Sequence, residues 1–115
     1  MLEILDFDTR ENRLLFYNGA DSVVTIPENI TEIGATAFED TPYVKAITLP
    51  EGLTQIGANA FGGTAIEEIH IPKNVSKIPH NPFCGCKKLS KITVDRKNKY
   101  FEAIDNCLIR KRTKL

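Results

Sequence analysis

The sequence predicts a mainly β solenoid, and two observations carry that prediction. The first is one segment that returns twice, in residues 25–38, 48–61 and 70–83. Each copy has a proline in third place and a phenylalanine in last place, and the prolines are 23 and 22 residues apart. A period in the twenties is typical of solenoids. The second observation is that apolar residues recur in the same columns of each copy, which predicts a core built of ladders of like side chains.

The N-terminal residues 1–21 predict a β-hairpin. Two apolar runs, one around residues 4–7 and one at Leu14–Tyr17, flank the polar turn 9–12, and Asn18-Gly19 is a further turn signal. The end of a solenoid exposes core and a strand edge, and such edges need a cover. We therefore expect this hairpin to cap the first coil.

Each repeat then predicts two short strands. Apolar residues two apart, as in Val24-Thr-Ile26 and Ile47-Thr-Leu49, follow the period of a strand, and we expect these strands to stack in parallel, one per coil. The proline that follows ends the strand and opens a tight turn. A second strand is expected around residues 31–33 and 54–56, and one helical turn in residues 35–38 and 58–61. Pro79 and Pro82 exclude a regular helix from the third copy.

These elements divide the chain into three predicted parts. Residues 1–21 form the capping hairpin, and residues 22–94 hold three repeats and the opening strand of a fourth. Asp95 replaces the fourth proline, and residues 95–115 are expected to be an irregular basic segment, with a truncated further unit as the alternative.

Charge is distributed unevenly although the formal net charge is zero. Residues 1–69 hold 12 acidic and 3 basic side chains, and residues 70–115 hold 3 acidic and 12 basic ones. Because sequence order is spatial order in a solenoid, its two ends should carry opposite charge. The odd count of three cysteines argues against a disulfide framework. There is no signal peptide pattern and no apolar run long enough for a membrane span.

The repeats resemble the BspA-like leucine-rich repeats, whose unit reads roughly L-x-x-I-x-I-P-x-x-V-x-x-I-G-x-x-A-F-x-x-C. Residues 44–61 match this unit almost residue by residue, and the resemblance covers residues 22–110. It implies a leucine-rich-repeat solenoid with short parallel strands and brief helical turns. Cys86 matches the family's cysteine, whereas Thr41 and Thr64 replace it in the earlier copies.

The resemblance also implies a function. Members of this family are commonly secreted or surface proteins implicated in adhesion, so the chain is expected to be a non-enzymatic protein-interaction module at the cell surface, with an unknown protein as its ligand. Residues 100–109 look like the start of a further hairpin and repeat block, which predicts a fragment or a short member of a longer array. A structural spacer or assembly unit is the alternative.

The outward residues of the first strands form the candidate binding face. Such faces bind proteins in many solenoids, although threonine is also chosen for its β propensity alone. The candidate residues are Thr25, Thr48, Glu68, His70, Lys91 and Thr93.

The basic C-terminal half supplies a second candidate surface, the basic end, made of Lys87, Lys88, Lys91, Arg96, Lys97 and Lys99. It could be a plainly solvated surface, a site for an acidic partner, or one half of a head-to-tail contact between copies, acidic end against basic end. Binding of nucleic acid is disfavoured because no nucleic-acid motif and no interleaved aromatic residues accompany the charges.

Catalysis and metal binding find no support in the sequence. His80, Cys84 and Cys86 are neighbours, but their spacing is not that of a zinc site and a fourth ligand is missing. Cys86 is better explained as a packed thiol. No nucleophile motif, phosphate loop or acid–base pair is present, so we expect no catalytic residue and no cofactor.

Overall fold

The fold is a repeat of short strands with no helix among residues 5–111, the part of the chain that this computed structural model describes. Residues 1–4 of the predicted capping hairpin and residues 112–115 of the predicted basic segment lie outside it. The protein is elongated, with extents of 57 × 30 × 19 Å. The strands are β1 (Phe7–Arg10), β2 (Arg13–Tyr17), β3 (Val23–Thr25), β4 (Glu32–Ile33), β5 (Ala46–Thr48), β6 (Gln55–Ile56), β7 (Glu68–Ile71), β8 (Lys91–Val94), β9 (Phe101–Ile104) and β10 (Cys107–Arg110).

One wall of the molecule is a sheet of order β1-β2-β4-β6. The antiparallel hairpin β1–β2 is formed as predicted, with a register shift between Asp8 and Thr9. Strand β2 then pairs in parallel with β4, and β4 pairs in parallel with β6. An isolated parallel bridge from Gln55 to Lys77 extends the pairing to the third repeat. The hairpin is therefore continuous with the repeats, while the predicted boundaries at residues 21 and 94 stay predictions.

The opposite wall carries the first strands of the repeats, and it is divided. The predicted parallel pairing is present between β3 and β5 and between β7 and β8, but these are two separate sheets. Ser22 accepts backbone bonds from Lys45 and Ala46, and Glu67 accepts the corresponding bonds from Ser90 and Lys91. Among the described residues, the equivalent backbone oxygen of Lys45 accepts no hydrogen bond from β7. The prediction that the first strands of all repeats form one continuous parallel stack was therefore wrong between β5 and β7.

The division follows from a connection that is one residue shorter in the second repeat. In the first repeat, two residues separate the buried Thr41 from the next core residue, Val44. In the third repeat, two residues likewise separate Cys86 from Leu89. Both connections close a turn by a backbone bond, of 3.1 Å and 3.2 Å between nitrogen and oxygen. The second repeat has only Thr64-Ala-Ile66, and the Ala65 nitrogen donates instead to the Val44 oxygen at 2.7 Å.

The predicted helical turns at residues 35–38 and 58–61 are hydrogen-bonded turns instead. Thr36 and Asn59 have positive φ angles of 56° and 54°, which a right-handed helix does not tolerate. The backbone nitrogens here also bond to the next repeat, as from Phe38 to the Ala60 oxygen at 2.9 Å. The turns therefore continue the contacts between repeats that a helix, with its bonds closed internally, would not make.

The core between the walls contains a ladder of five aromatic rings. Phe38 and Phe61, both fully buried, have ring centroids 5.7 Å apart. Tyr17 stacks on Phe38 at 5.3 Å, and Phe7 lies 5.4 Å beyond it, so the hairpin extends the ladder toward the N-terminus. Phe83 ends the ladder at 5.9 Å from Phe61 and is only partly buried. The sequence predicted the three phenylalanines of the repeats but not the two rings of the hairpin.

Residues 95–111 are ordered, contrary to the prediction of an irregular segment. Strands β9 and β10 form an antiparallel hairpin closed by Asp105 and Asn106, whose φ angles are 52° and 60°. Two positive φ angles are what the tightest hairpin turn requires, and Asp and Asn adopt them readily. The hairpin therefore follows from its turn residues, a signal that was present in the sequence.

Asn98 fixes this segment to the third repeat. Its side chain is 1% exposed, and its Nδ2 donates to the Pro72 and Val75 oxygens at 2.9 and 3.1 Å. Its Oδ1 accepts the backbone nitrogens of Tyr100 and Phe101 at 2.7 and 2.9 Å. The two donors and the two lone pairs of the amide are thus all used, which offsets its burial.

Candidate interaction surfaces

The candidate binding face lies on the divided wall, and its six residues are brought together in pairs. Thr25 stands opposite Thr48 on β3 and β5, both exposed. On β7 and β8, Glu68 stands opposite Lys91, and His70 stands opposite Thr93 with 2.8 Å between His70 Nδ1 and Thr93 Oγ1. The alternation of a strand places these side chains outward because their neighbours Val24, Ile47 and Ile69 are buried in the core.

A cleft separates the two halves of this face. Where β5 and β7 fail to pair, a cavity of about 390 Å³ is lined by both strands and includes Thr48, Glu51, Glu68 and His70. A second cavity of about 580 Å³ continues past Lys45 and Glu67. Carboxylates, ammonium groups and hydroxyls alternate along its walls, so the cleft can exchange hydrogen bonds and ion pairs with a polar partner. The sequence signal for the cleft is the 22-residue period between Pro50 and Pro72, one residue shorter than the period before it.

The basic end is spread over three elements. Lys87 and Lys88 belong to the turn after Phe83, Lys91 is on β8, and Arg96, Lys97 and Lys99 lie in the fourth turn. All six side chains are exposed. Arg96, Lys97 and Lys99 follow Asp95, whose Oδ1 accepts the Lys97 backbone nitrogen at 2.8 Å. The basic end is thus a diffuse positive surface rather than one pocket.

An apolar groove that was not predicted from the sequence lies next to the basic end. It has a volume of about 540 Å³ and runs between the third repeat and the hairpin β9–β10. Ile78 and Phe83 line one side, Phe101 and Leu108 line the other, and Leu89 and Ile92 are also part of it. The groove exists because the fourth unit forms a hairpin instead of a second wall, which leaves the last ring of the ladder uncovered.

Cys86 is a packed thiol, as expected. Thr41 and Thr64 donate their hydroxyls to the Phe38 and Phe61 oxygens, and Cys86 Sγ contacts the same Phe61 oxygen at 3.0 Å. The two threonines of this column therefore each close the turn after their own phenylalanine, whereas the Cys86 thiol bonds back to the preceding repeat. Cys84 and His80 are exposed, and no group of three metal-ligating side chains occurs among residues 5–111.

Tyr17 is a buried ionisable group near the N-terminus. Burial in the aromatic ladder raises its pKa above the usual value of 10.0, and the charges of Asp21 and Asp6 act in the same direction. The backbone nitrogen of Asp21 donates to its hydroxyl at 3.0 Å and partly opposes the shift. The Tyr17 hydroxyl therefore has a structural role as the acceptor of this bond, and no described group stands beside it as a catalytic partner.

The described chain contains no helix of the length and hydropathy that a membrane crossing requires. The family pattern of the BspA type leucine rich repeat region matches residues 12–113 in six copies. No curated protein is significantly similar to the chain.

Two solved structures resemble the protein. One is a leucine rich cell surface protein from Faecalibacterium prausnitzii A2-165, with 39% identity over 79% of this chain and a TM-score of 0.69. The other is a leucine-rich repeat protein from Eubacterium ventriosum ATCC 27560, with 28% identity over 78% of this chain and a TM-score of 0.62. The chain spans 24% of the first protein and 30% of the second.

Proposed function

The chain belongs to the BspA-type leucine-rich repeat family, and from that membership we propose that it is a non-enzymatic protein-interaction module of a surface protein. In this proposal the repeats form a solenoid capped at its N-terminus by the hairpin β1–β2. The module acts in adhesion, and it forms one part of a longer array of repeats. The similar protein from Faecalibacterium prausnitzii is a cell surface protein, which supports this location.

The observation that carries the proposal is the cleft between β5 and β7 on the candidate binding face. Repeat proteins commonly bind partners on the face formed by their stacked strands. Here that face carries exposed side chains of both charges, Lys45 and Lys91 beside Glu67 and Glu68, around a recess of a few hundred cubic ångströms. A recess offers a partner side chain more contact area than a flat sheet does, which is a condition for a strong anchor.

Adhesion through this face is tested with immobilised matrix proteins. Fibronectin and collagen are coated separately, and binding of the purified 115-residue chain is measured by biolayer interferometry against uncoated and albumin-coated surfaces. We expect saturable binding to one of the matrix proteins. The double variant Thr48→Arg, His70→Glu should weaken that binding by roughly tenfold, since it obstructs the cleft and reverses its hydrogen-bonding pattern.

The matched control is Lys77→Glu, an exposed change on the opposite wall. It should leave the affinity within about twofold of the unchanged chain. Equal loss in both variants, or no binding to either matrix protein above the albumin level, would argue against adhesion through this face.

A second candidate function is that of a spacer or assembly unit. The specific observation in its favour is that acidic side chains dominate the N-terminal part of the sequence and basic ones the C-terminal part, in an elongated molecule. Opposite charge at two ends favours association of one copy with the next. This candidate predicts a mass that grows with protein concentration and falls with salt, whereas the interaction module alone predicts neither.

A further inference from the structure

The cleft between β5 and β7 contains backbone groups without a hydrogen-bond partner. In the preceding step of this wall, the successive nitrogens of Lys45 and Ala46 both donate to the Ser22 oxygen. The equivalent groups in the cleft are the nitrogens of Glu67 and Glu68 and the oxygen of Lys45. These three groups form no hydrogen bond with any residue of the described range 5–111. Lys45, Glu67 and Glu68 also line the second cavity of the cleft, of about 580 Å³.

Two hydrogen bonds limit the width of the cleft, one before β5 and one after it. The Ala65 nitrogen donates to the Val44 oxygen at 2.7 Å, and Asn74 Nδ2 donates to the Glu51 oxygen at 3.1 Å. Between these bonds, Cα atoms of β5 and β7 lie within 8 Å of each other. Two strands with a third strand between them would be about 9.6 Å apart. The cleft can therefore accept a side chain of a partner but not an inserted strand.

The three unpaired groups determine which side chain would satisfy them. Two N–H groups require an acceptor, and the carbonyl requires a donor. A carboxylate only accepts, and the carboxylates of Glu67 and Glu68 would repel it, whereas an ammonium or guanidinium group only donates. A hydroxyl donates and accepts through one atom. A primary carboxamide accepts at its oxygen and donates at its nitrogen, so it can bond to both sides of the cleft at once.

The protein itself contains such an arrangement at Asn98. Its Oδ1 accepts the successive nitrogens of Tyr100 and Phe101 at 2.7 and 2.9 Å. Its Nδ2 donates to the oxygens of Pro72 and Val75 at 2.9 and 3.1 Å. One side-chain amide thus joins backbone groups of two repeats. The cleft presents the same elements, two successive nitrogens on one side and an oxygen on the other, and lacks only the amide.

We propose that this part of the cleft binds a glutamine or asparagine side chain of a partner protein, an inference that rests on the interaction-module function above. The oxygen of the partner's amide accepts the N–H groups of Glu67 and Glu68, and its nitrogen donates to the Lys45 oxygen. The exposed side chains around the site, Lys45 and Lys91 with Glu67 and Glu68, have charges that sum to zero, which favours a neutral polar group. Because each new bond replaces one with water, a single amide binds weakly, and further contacts come from the rest of the candidate binding face.

The test is an NMR titration of the ¹⁵N-labelled 115-residue chain with three small probes. The probes are N-acetyl-glutamine methylamide and its glutamate and methionine counterparts, which share the same backbone amides and differ only in the side chain. We expect the glutamine probe to shift the amide resonances of Glu67 and Glu68 saturably, with a dissociation constant of about 1–10 mM. The glutamate and methionine probes should not, because neither side chain both accepts and donates at neutral pH.

Two variants remove the site in different ways. Ala46→Trp places a large ring in the cavity that Ala46 lines, and it should weaken binding of the glutamine probe at least about tenfold. A lysine inserted between Ala65 and Ile66 should pair β5 with β7 and so consume the three backbone groups. The matched control is Thr25→Trp, which adds the same ring at an exposed position on β3 that lines neither cavity of the cleft. It should leave the affinity within about twofold.

The outcomes separate this inference from the function on which it rests. Equal shifts with the glutamine and glutamate probes, an equal effect of Ala46→Trp and Thr25→Trp, or no saturable shift at Glu67 and Glu68 overturns the carboxamide site. Adhesion is measured separately with immobilised fibronectin and collagen. Binding to a matrix protein without a response to the glutamine probe keeps the interaction module and overturns the carboxamide site. A glutamine-specific response in a chain that binds neither matrix protein supports the site and overturns adhesion to those proteins.

Discussion

Asn98 occupies the column that Ile30, Leu53 and Val75 fill in the three preceding repeats. Those apolar side chains are fully buried. The backbone nitrogen of each residue donates to the oxygen of the repeat's proline, three residues earlier, and so closes a turn. Asn98 keeps the turn, since its nitrogen bonds to the Asp95 oxygen at 2.9 Å. Its amide also joins the third repeat to β9. The substitution of one polar residue in an apolar column thus ends the stack and redirects the chain into the hairpin.

Tyr17 makes stability depend on pH in the alkaline range. Its pKa is raised in the folded protein, chiefly by burial, so above about pH 10 the unfolded chain releases the phenolic proton while the folded chain retains it. The folded state then binds more protons, and the free energy of unfolding must fall as pH rises. Below the unfolded pKa this contribution is fully present. We expect Tyr17→Phe to flatten the decline above about pH 10, measured by urea denaturation at a series of pH values.

The matched control is Tyr100→Phe, because Tyr100 is 45% exposed and its hydroxyl lies outside the ladder. Lysines and thiols also titrate in this range. The comparison therefore uses the difference between variants in the slope of the unfolding free energy against pH. A decline of equal steepness in Tyr17→Phe and the unchanged protein would mean that burial of this phenol does not govern alkaline stability.

At the scale of the element, the divided wall makes a prediction about backbone protection. The amides of Lys45, Ala46, Ser90 and Lys91 bond to the preceding repeat, whereas the equivalent amides of Glu67 and Glu68 do not. Amides that lack a hydrogen-bonded partner exchange through smaller fluctuations than bonded ones. Native-state hydrogen exchange followed by NMR should therefore find Glu67 and Glu68 at least about tenfold less protected than the four equivalent amides.

A single-residue insertion tests the cause of that difference. Placing a lysine between Ala65 and Ile66 gives the second repeat the length of the first and third connections. We expect the inserted chain to join β5 to β7 and to slow exchange at the two glutamates. An unchanged exchange rate in a folded insertion variant would show that connection length does not divide the wall.

The strands of the repeats could be predicted from the sequence because their apolar columns recur with little change. The candidate binding face followed from the same columns, since strand alternation fixes which side chains point outward. The cleft could not be found this way, because a shift of one residue preserves every apolar column and alters only backbone pairing. The hairpin at residues 101–110 was expected only from the family resemblance of residues 100–109. Judged by composition, this charged and unrepeated segment was expected to be irregular, although Asp105-Asn106 is a hairpin turn signal.

At the scale of the whole molecule, contacts are made between successive units. Each aromatic ring stacks on its neighbour in the ladder, and each strand pairs with the strand of an adjacent unit or with its hairpin partner. The units follow one another from the N-terminal hairpin, where Leu14 is fully buried, to the turn before the C-terminal hairpin, where Asn98 is 1% exposed. In such an arrangement stability approximates a sum of units and nearest-neighbour interfaces.

This arrangement predicts which double mutants are additive. Leu14→Ala should cost about 2–5 kcal/mol by leaving a cavity, and Asn98→Ala about 1–3 kcal/mol by leaving the Pro72 and Val75 oxygens without donors. Because the two residues share no partner, their effects on the free energy of unfolding should add within about 0.5 kcal/mol. Phe38→Leu and Phe61→Leu, whose rings are 5.7 Å apart, should instead couple by more than that amount. Urea denaturation of the two double-mutant cycles measures both quantities, and coupling between Leu14 and Asn98 as large as that between the two phenylalanines would show that the molecule responds as one core and not as a series of units.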